Sequence, residues 1–149
     1  GPNEGLPTLD RWVLNPQTGK AKQERIDDRP QEFPRMNESL LGLKHDFGYF
    51  AGISDVFRQA DLIKQNLVTR TTQVRHDGAN FGYGEPVFVP RENSKSEDDG
   101  YVMALRHNTE TDLSDLVVLN AQDFCGEPVA VVSLPARVPN GFHGNWIAD

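Results

Sequence analysis

The sequence predicts an all-β chain, and three observations carry that prediction. Helix signals are scarce: 13 glycines and 10 prolines are scattered over 149 residues and keep the apolar runs short. Those runs are bounded by turn residues. Asn15, Asn66 and Asn120 each open a similar turn, at "LNPQTG", "QNLVTR" and "LNAQDF", spaced 51 and 54 residues apart. A recurrence of roughly 40–50 residues with four strands per unit is the pattern of propeller blades.

The elements follow in order. Leu9 to Asn15 reads as a strand, with a turn at Pro16–Gly19 and a return from Ala21 to Asp27. Asp61 to Asn66 and Thr71 to His76 form a second hairpin. Gly84 to Pro90 is a strand, and Tyr101 to Arg106 another. Leu116 to Asn120 and Pro128 to Leu134 make the last clear pair, with a final strand-like run ending near Ile147. "NSKSEDDG" is a charged hairpin turn; it lacks the alternating ligands and later Glu of a calcium loop.

The residues after each asparagine turn are the informative ones. Glu32 lies 17 residues after Asn15, Glu85 19 after Asn66, and His143 23 after Asn120. In a propeller the chain leaves an outer hairpin and starts the innermost strand of the next blade there, so these side chains would converge on the axis. On spacing alone, chance recurrence of short polar motifs stays an open alternative.

Bulk properties narrow the function. Apolar content of 37%, charge content of 25% and a net charge of −7 fit a soluble domain and argue against nucleic-acid binding. No apolar run is long enough to span a bilayer. The single cysteine, Cys125, excludes an internal disulfide and sits in a turn, "DFCGEP", where a buried or idle thiol is expected. Asn37-Glu38-Ser39 matches a glycosylation acceptor and reads as chance. Nucleophile-elbow, zinc-peptidase and phosphate-loop motifs are absent. Glu127, in a second "GEPV", reads as a turn residue.

Five segments in sequence carry a family resemblance: "EFPR" (32–35), "GEPVFVPR" (84–91), "EDDGYVM" (97–103), "LVVLNAQDF" (116–124) and "LPARVPNGFHGNW" (134–146). Together they resemble the C-terminal part of a carotenoid cleavage oxygenase, over nearly the whole chain. The resemblance implies the C-terminal blades of a seven-bladed β-propeller, residues 1–149 being one partial domain. It implies Fe(2+) held by four histidines from different blades, with glutamates accepting hydrogen bonds from the ligand imidazoles. His143 matches the last iron ligand, and Glu32 and Glu85 match two of those glutamates. Imidazole suits ferrous iron, and a carboxylate on the outer ring nitrogen fixes the tautomer. Phe142 and Trp146 would shield the site, and the glycines beside His143 would let the backbone approach a crowded axis. Ala136 and Asn140 depart from the family pattern, which bears on the substrate tunnel more than on the metal.

The chain has four histidines, at 45, 76, 107 and 143, spaced 31, 31 and 36 residues apart. This near-regular set is not read as the iron site: "LKHDFGYF", "VRHDGANF" and "ALRHNTET" are polar turn contexts that match no ligand motif. The other three ligands belong upstream of "EFPR", so upstream blades are required. The expected activity is dioxygenase cleavage of a carbon–carbon double bond of a carotenoid or apocarotenoid with O2, giving two carbonyl products. The chain alone is not expected to be competent. Alternatives are cleavage of a stilbene-like substrate, or an inactive propeller fragment with a binding role. The expected location is cytoplasmic or peripherally membrane-associated.

Overall fold

The computed structural model describes residues 5–55 and 58–147. Among these are eleven strands and two single-turn 3-10 helices, Glu38–Leu40 and Ala121–Asp123. Strands β1 (Leu9–Asn15) and β2 (Lys20–Asp27) form an antiparallel hairpin. Strands β3 (Gln31–Arg35), β4 (Phe47–Asp55), β5 (Arg58–Asn66) and β6 (Thr71–Arg75) form a four-stranded sheet in chain order. The second sheet has β7 (Phe81–Tyr83) and β8 (Val87–Pro90) on one edge of β9 (Gly100–Asn108), then β10 (Leu113–Asn120) and β11 (Ala130–Ser133). Each of these two sheets has the antiparallel meander of a propeller blade, and the β1–β2 hairpin stands apart from both.

The asparagine repeat has a common physical basis. The side-chain Oδ1 of Asn15 accepts from the amides of Gln17 and Thr18, that of Asn66 from Val68 and Thr69, and that of Asn120 from Gln122. Each side chain replaces a backbone acceptor and so closes the turn that follows. All three turns lead into an outer strand: β2, β6 and β11. The segments that follow β2 and β6 open the next sheet at one of its edges, at β3 and at β7.

Three expectations need correction. Gly84 to Pro90 is not one strand. Only Val87–Pro90 of it is strand (β8); β7 (Phe81–Tyr83) ends before Gly84, and the two pair with different parts of β9. Gly84 N still donates to the Leu105 carbonyl at 2.8 Å, but Pro86 has no amide to donate, and the regular ladder is interrupted over 84–86. The last run carries no strand: residues 134–147 are irregular. Finally, β3 and β4 are present where no strand was assigned. Gly48 and Gly52 weaken the strand signal in β4. The Cβ of a larger residue at Gly52 would approach Ile63 Cδ1 to 3.2 Å, so the glycine suits tight packing against β5.

The core lies between the blades. Tyr49 and Leu62 of the first pack with Tyr83, Phe88, Val102, Val117, Leu119 and Phe124 of the second. Tyr49 stacks on Phe88 at 5.4 Å between centroids. The "EDDG" turn is more than a solvated loop. Glu97 caps the start of β4, its Oε1 accepting from Phe47 N at 2.7 Å and its Oε2 from Asp46 N at 2.8 Å, and Asp98 pairs with Lys64 of β5. Asn37 is buried and its Nδ2 donates to the Glu97 carbonyl, which leaves it no role as a sugar acceptor. Arg75, Asp77, Arg106 and Asp115 form a second charged link between the blades.

Candidate metal centre

Each site residue sits where its inner segment departs from regular pairing. In β3 the register shifts between Glu32 and Arg35, and Phe33 is held at φ 55°. A left-handed phenylalanine is uncommon, and such strain concentrates at functional positions. Glu85 lies in the break between β7 and β8. His143 lies on the irregular C-terminal segment. These irregularities turn the side chains away from the sheet ladders and toward one place.

That place is an open pocket of about 500 Å³ lined by Glu32, Phe33, Pro34, Arg35, Glu85, Phe142 and His143. Glu85 Oε1 lies 3.1 Å from His143 Nδ1, and Glu85 Oε2 accepts from the Gly144 amide at 2.7 Å. Arg35 pairs with the same carboxylate at 2.9 Å. The Glu85 side chain is only 5% exposed, while the His143 ring is 75% exposed. Phe33 meets the imidazole edge-on at 5.7 Å.

The electrostatics decide the tautomer. Burial pushes the Glu85 carboxyl up, but hydrogen bonds from Gly144 and His143 and the Arg35 charge more than offset it, so its pKa lies below the ordinary value. Glu85 is thus ionised and accepts at both oxygens. Nδ1 is then the ring nitrogen that donates to Glu85, which directs Nε2 away from the carboxylate. A neutral imidazole with its outer N–H on a carboxylate is a fitting ligand for ferrous iron. Among the described residues no group of three or more His, Cys, Asp or Glu is placed to hold a metal.

The other histidines are elsewhere. His76 pairs with Asp61 at 2.6 Å and His107 with Asp112 at 3.0 Å, both at the surface ends of strands. His45 lines a separate pocket of about 250 Å³ beside Leu9, Pro34 and Phe50. Glu32 shares the main pocket but its side chain is exposed. Phe142 lines it too and is 79% exposed, whereas Trp146 is half exposed and is not among its lining residues. The flanking glycines do not serve close approach within this chain: a Cβ on Gly141 or Gly144 would meet nothing within 4 Å. Cys125 is exposed rather than buried, near the Val74 carbonyl.

Sequence reasoning missed Arg35, Phe33 and Asn145. Phe33 and Arg35 stand inside the "EFPR" motif, flanking its proline, and that placement was the available signal. Asn145 follows "FHG" and accepts from Arg35 at 3.1 Å.

A family profile described as retinal pigment epithelial membrane protein matches residues 2–148. A carotenoid cleavage oxygenase of Mycobacterium tuberculosis is 42% identical over 150 residues, covering 96% of this chain and 30% of that protein. Carotenoid 9,10(9′,10′)-cleavage dioxygenase 1 of Arabidopsis thaliana is 32% identical over 149 residues, covering 91% of this chain and 28% of that protein. The crystal structure of the cobalt-substituted apocarotenoid oxygenase of Synechocystis superposes with a TM-score of 0.93 at 26% identity, covering 99% of this chain and 31% of that one. The chain therefore spans about 30% of the length of the curated relatives it matches.

Proposed function

Because this chain belongs to the family of carotenoid cleavage oxygenases and retinal pigment epithelial membrane proteins, we propose that it forms part of a non-haem Fe(II) dioxygenase. The reaction splits a carbon–carbon double bond of a carotenoid or apocarotenoid with O2, one oxygen atom going to each of two carbonyl products. The observation that carries the reading is the Glu85–His143 contact in a pocket shared with Glu32.

His143 would hold the metal through Nε2. Glu85 keeps the Nδ1 proton in place and supplies a negative charge behind an otherwise neutral ligand set. Glu32, at the same pocket, would serve the imidazole of a histidine from an upstream blade. The remaining ligands come from those blades, which the chain requires for a closed propeller. When bound, ferrous iron supplies the redox partner that O2 needs. Phe33 and Phe142 line the pocket and offer aromatic surface suited to an extended polyene; closure by the upstream blades would exclude water and limit stray oxygen chemistry.

No helix among the described residues is long and apolar enough to cross a membrane. We place the protein in the cytoplasm or peripherally on a membrane surface, where an apolar substrate would be met.

The test is ferrous iron per chain under anaerobic conditions. It compares the 149-residue chain, the chain joined to its upstream blades, and that longer protein with His143→Ala. Iron near one per chain only in the longer unmodified protein is the expected result. Iron held by the short chain would overturn the division of ligands and return attention to His45, His76 and His107. No iron in either would favour an inactive propeller with a binding role. Incubation of the iron-loaded protein with an apocarotenal and with a stilbene separates the two substrate classes.

A further inference from the structure

We propose that Arg35 is a positioning residue for the His143 imidazole, its guanidinium tying Glu85 and the backbone beyond His143 into one unit. The inference rests on the reading of His143 as a metal ligand. The segment that carries His143 has no strand ladder to fix it, since residues 134–147 are irregular. A metal ligand must nonetheless be held within about 0.5 Å of its productive position. Side chains have to supply the constraint that the backbone lacks.

Arg35 supplies most of it. One terminal nitrogen lies 2.9 Å from Glu85 Oε2 and donates to the Gly144 carbonyl at 2.7 Å. The other donates to Asn145 Oδ1 at 3.1 Å and to Glu38. Glu85 Oε2 in turn accepts from the Gly144 amide. Gly144 is thus gripped at its N–H by Glu85 and at its C=O by Arg35, and the ring of the preceding residue is gripped by the other Glu85 oxygen. Arg35 is itself well anchored: it pairs with Tyr49 across the β3–β4 ladder, and its side chain is only 14% exposed. The planar fork of arginine reaches these acceptors together; a lysine ammonium keeps the charge but not the fork.

The experiment measures cobalt(II) affinity, by competition with a chelator, and the cobalt d–d spectrum. It uses the protein joined to its upstream blades. Arg35→Met is expected to lower affinity about 10–100-fold and to broaden or shift the d–d bands. Arg35→Lys should recover part of the loss. Asn145→Ala removes one arm of the fork without leaving a buried charge. It should cost about five-fold in affinity, the worth of one hydrogen bond, even if Arg35→Met does not fold. The proposal is overturned if Arg35→Met or Asn145→Ala leaves affinity and spectrum unchanged while His143→Ala abolishes binding. It is equally overturned if Arg35→Met lowers cobalt binding while the d–d bands of the bound cobalt stay unchanged, which would mark Arg35 as a general stabiliser. Full cobalt binding by His143→Ala alone would instead refute the ligand reading on which the proposal stands.

Discussion

Replacing Lys64 with methionine tests whether the two blades are latched by charge. Lys64 Nζ donates to Asp98 Oδ2 and to the Ala121 carbonyl, both at 2.7 Å, and lies 4.5 Å from the centre of the Phe47 ring. Its side chain is 7% exposed and that of Asp98 15%. Methionine keeps much of the apolar stem, so the loss is mainly that of the ammonium. Two charge-assisted hydrogen bonds contribute about 1.5–3 kcal/mol each. Asp98 retains Ser96 and Gln122 as donors, which places the cost at the lower end, about 3 kcal/mol. Urea unfolding of the protein with its upstream blades, followed by circular dichroism, measures this. Lys64→Met combined with Asp98→Asn should cost at least about 1 kcal/mol less than the two single changes together, because the pair fails once.

The same latch predicts a pH dependence. Burial raises the Asp98 carboxyl, but the Lys64 hydrogen bond and charge, with Gln122 and Ser96, bring it below its ordinary value. Its folded pKa is therefore below its unfolded one. Its stabilisation is complete above the ordinary carboxylate range and is lost as pH falls through the folded value. Lys64→Met should flatten the acid limb of the stability curve. A loss under about 1 kcal/mol at pH 7, or an unchanged acid limb, would refute the latch.

Gly100→Ala should destabilise by about 2–3 kcal/mol, read as a lower urea midpoint. Its Cβ would fall 2.4 Å from the Val89 carbonyl oxygen and 2.7 Å from Phe88 Cζ, forcing β8 off β9. Glu85→Gln should reduce cobalt(II) affinity about 10–100-fold in the protein with its upstream blades, since the amide cannot accept at both positions. Glu32→Gln should shift the urea midpoint by less than the equivalent of about 0.5 kcal/mol, because the exposed Glu32 carboxylate carries no comparable set of contacts.

The sequence determined a good deal by itself. Turn asparagines at 15, 66 and 120 close turns through their own side chains, a local interaction, so their spacing was a sound guide to blade repeats. The motifs around Glu32, Glu85 and His143 could be located because each follows one of those turns. Tertiary structure decided the rest. Gly84-Glu85-Pro86 are poor strand formers that adjoin the strand-like run at 87–89, and only pairing with β9 shows that the regular ladder is interrupted across them. Strand β4 was missed because its glycines suit close packing against β5, which no local pattern reveals. The motif around Arg35 marks its position but not its role. Its partners Glu85, Gly144 and Asn145 are brought to it from the next blade and the C-terminal segment, and a guanidinium acquires a role only when its acceptors are fixed around it.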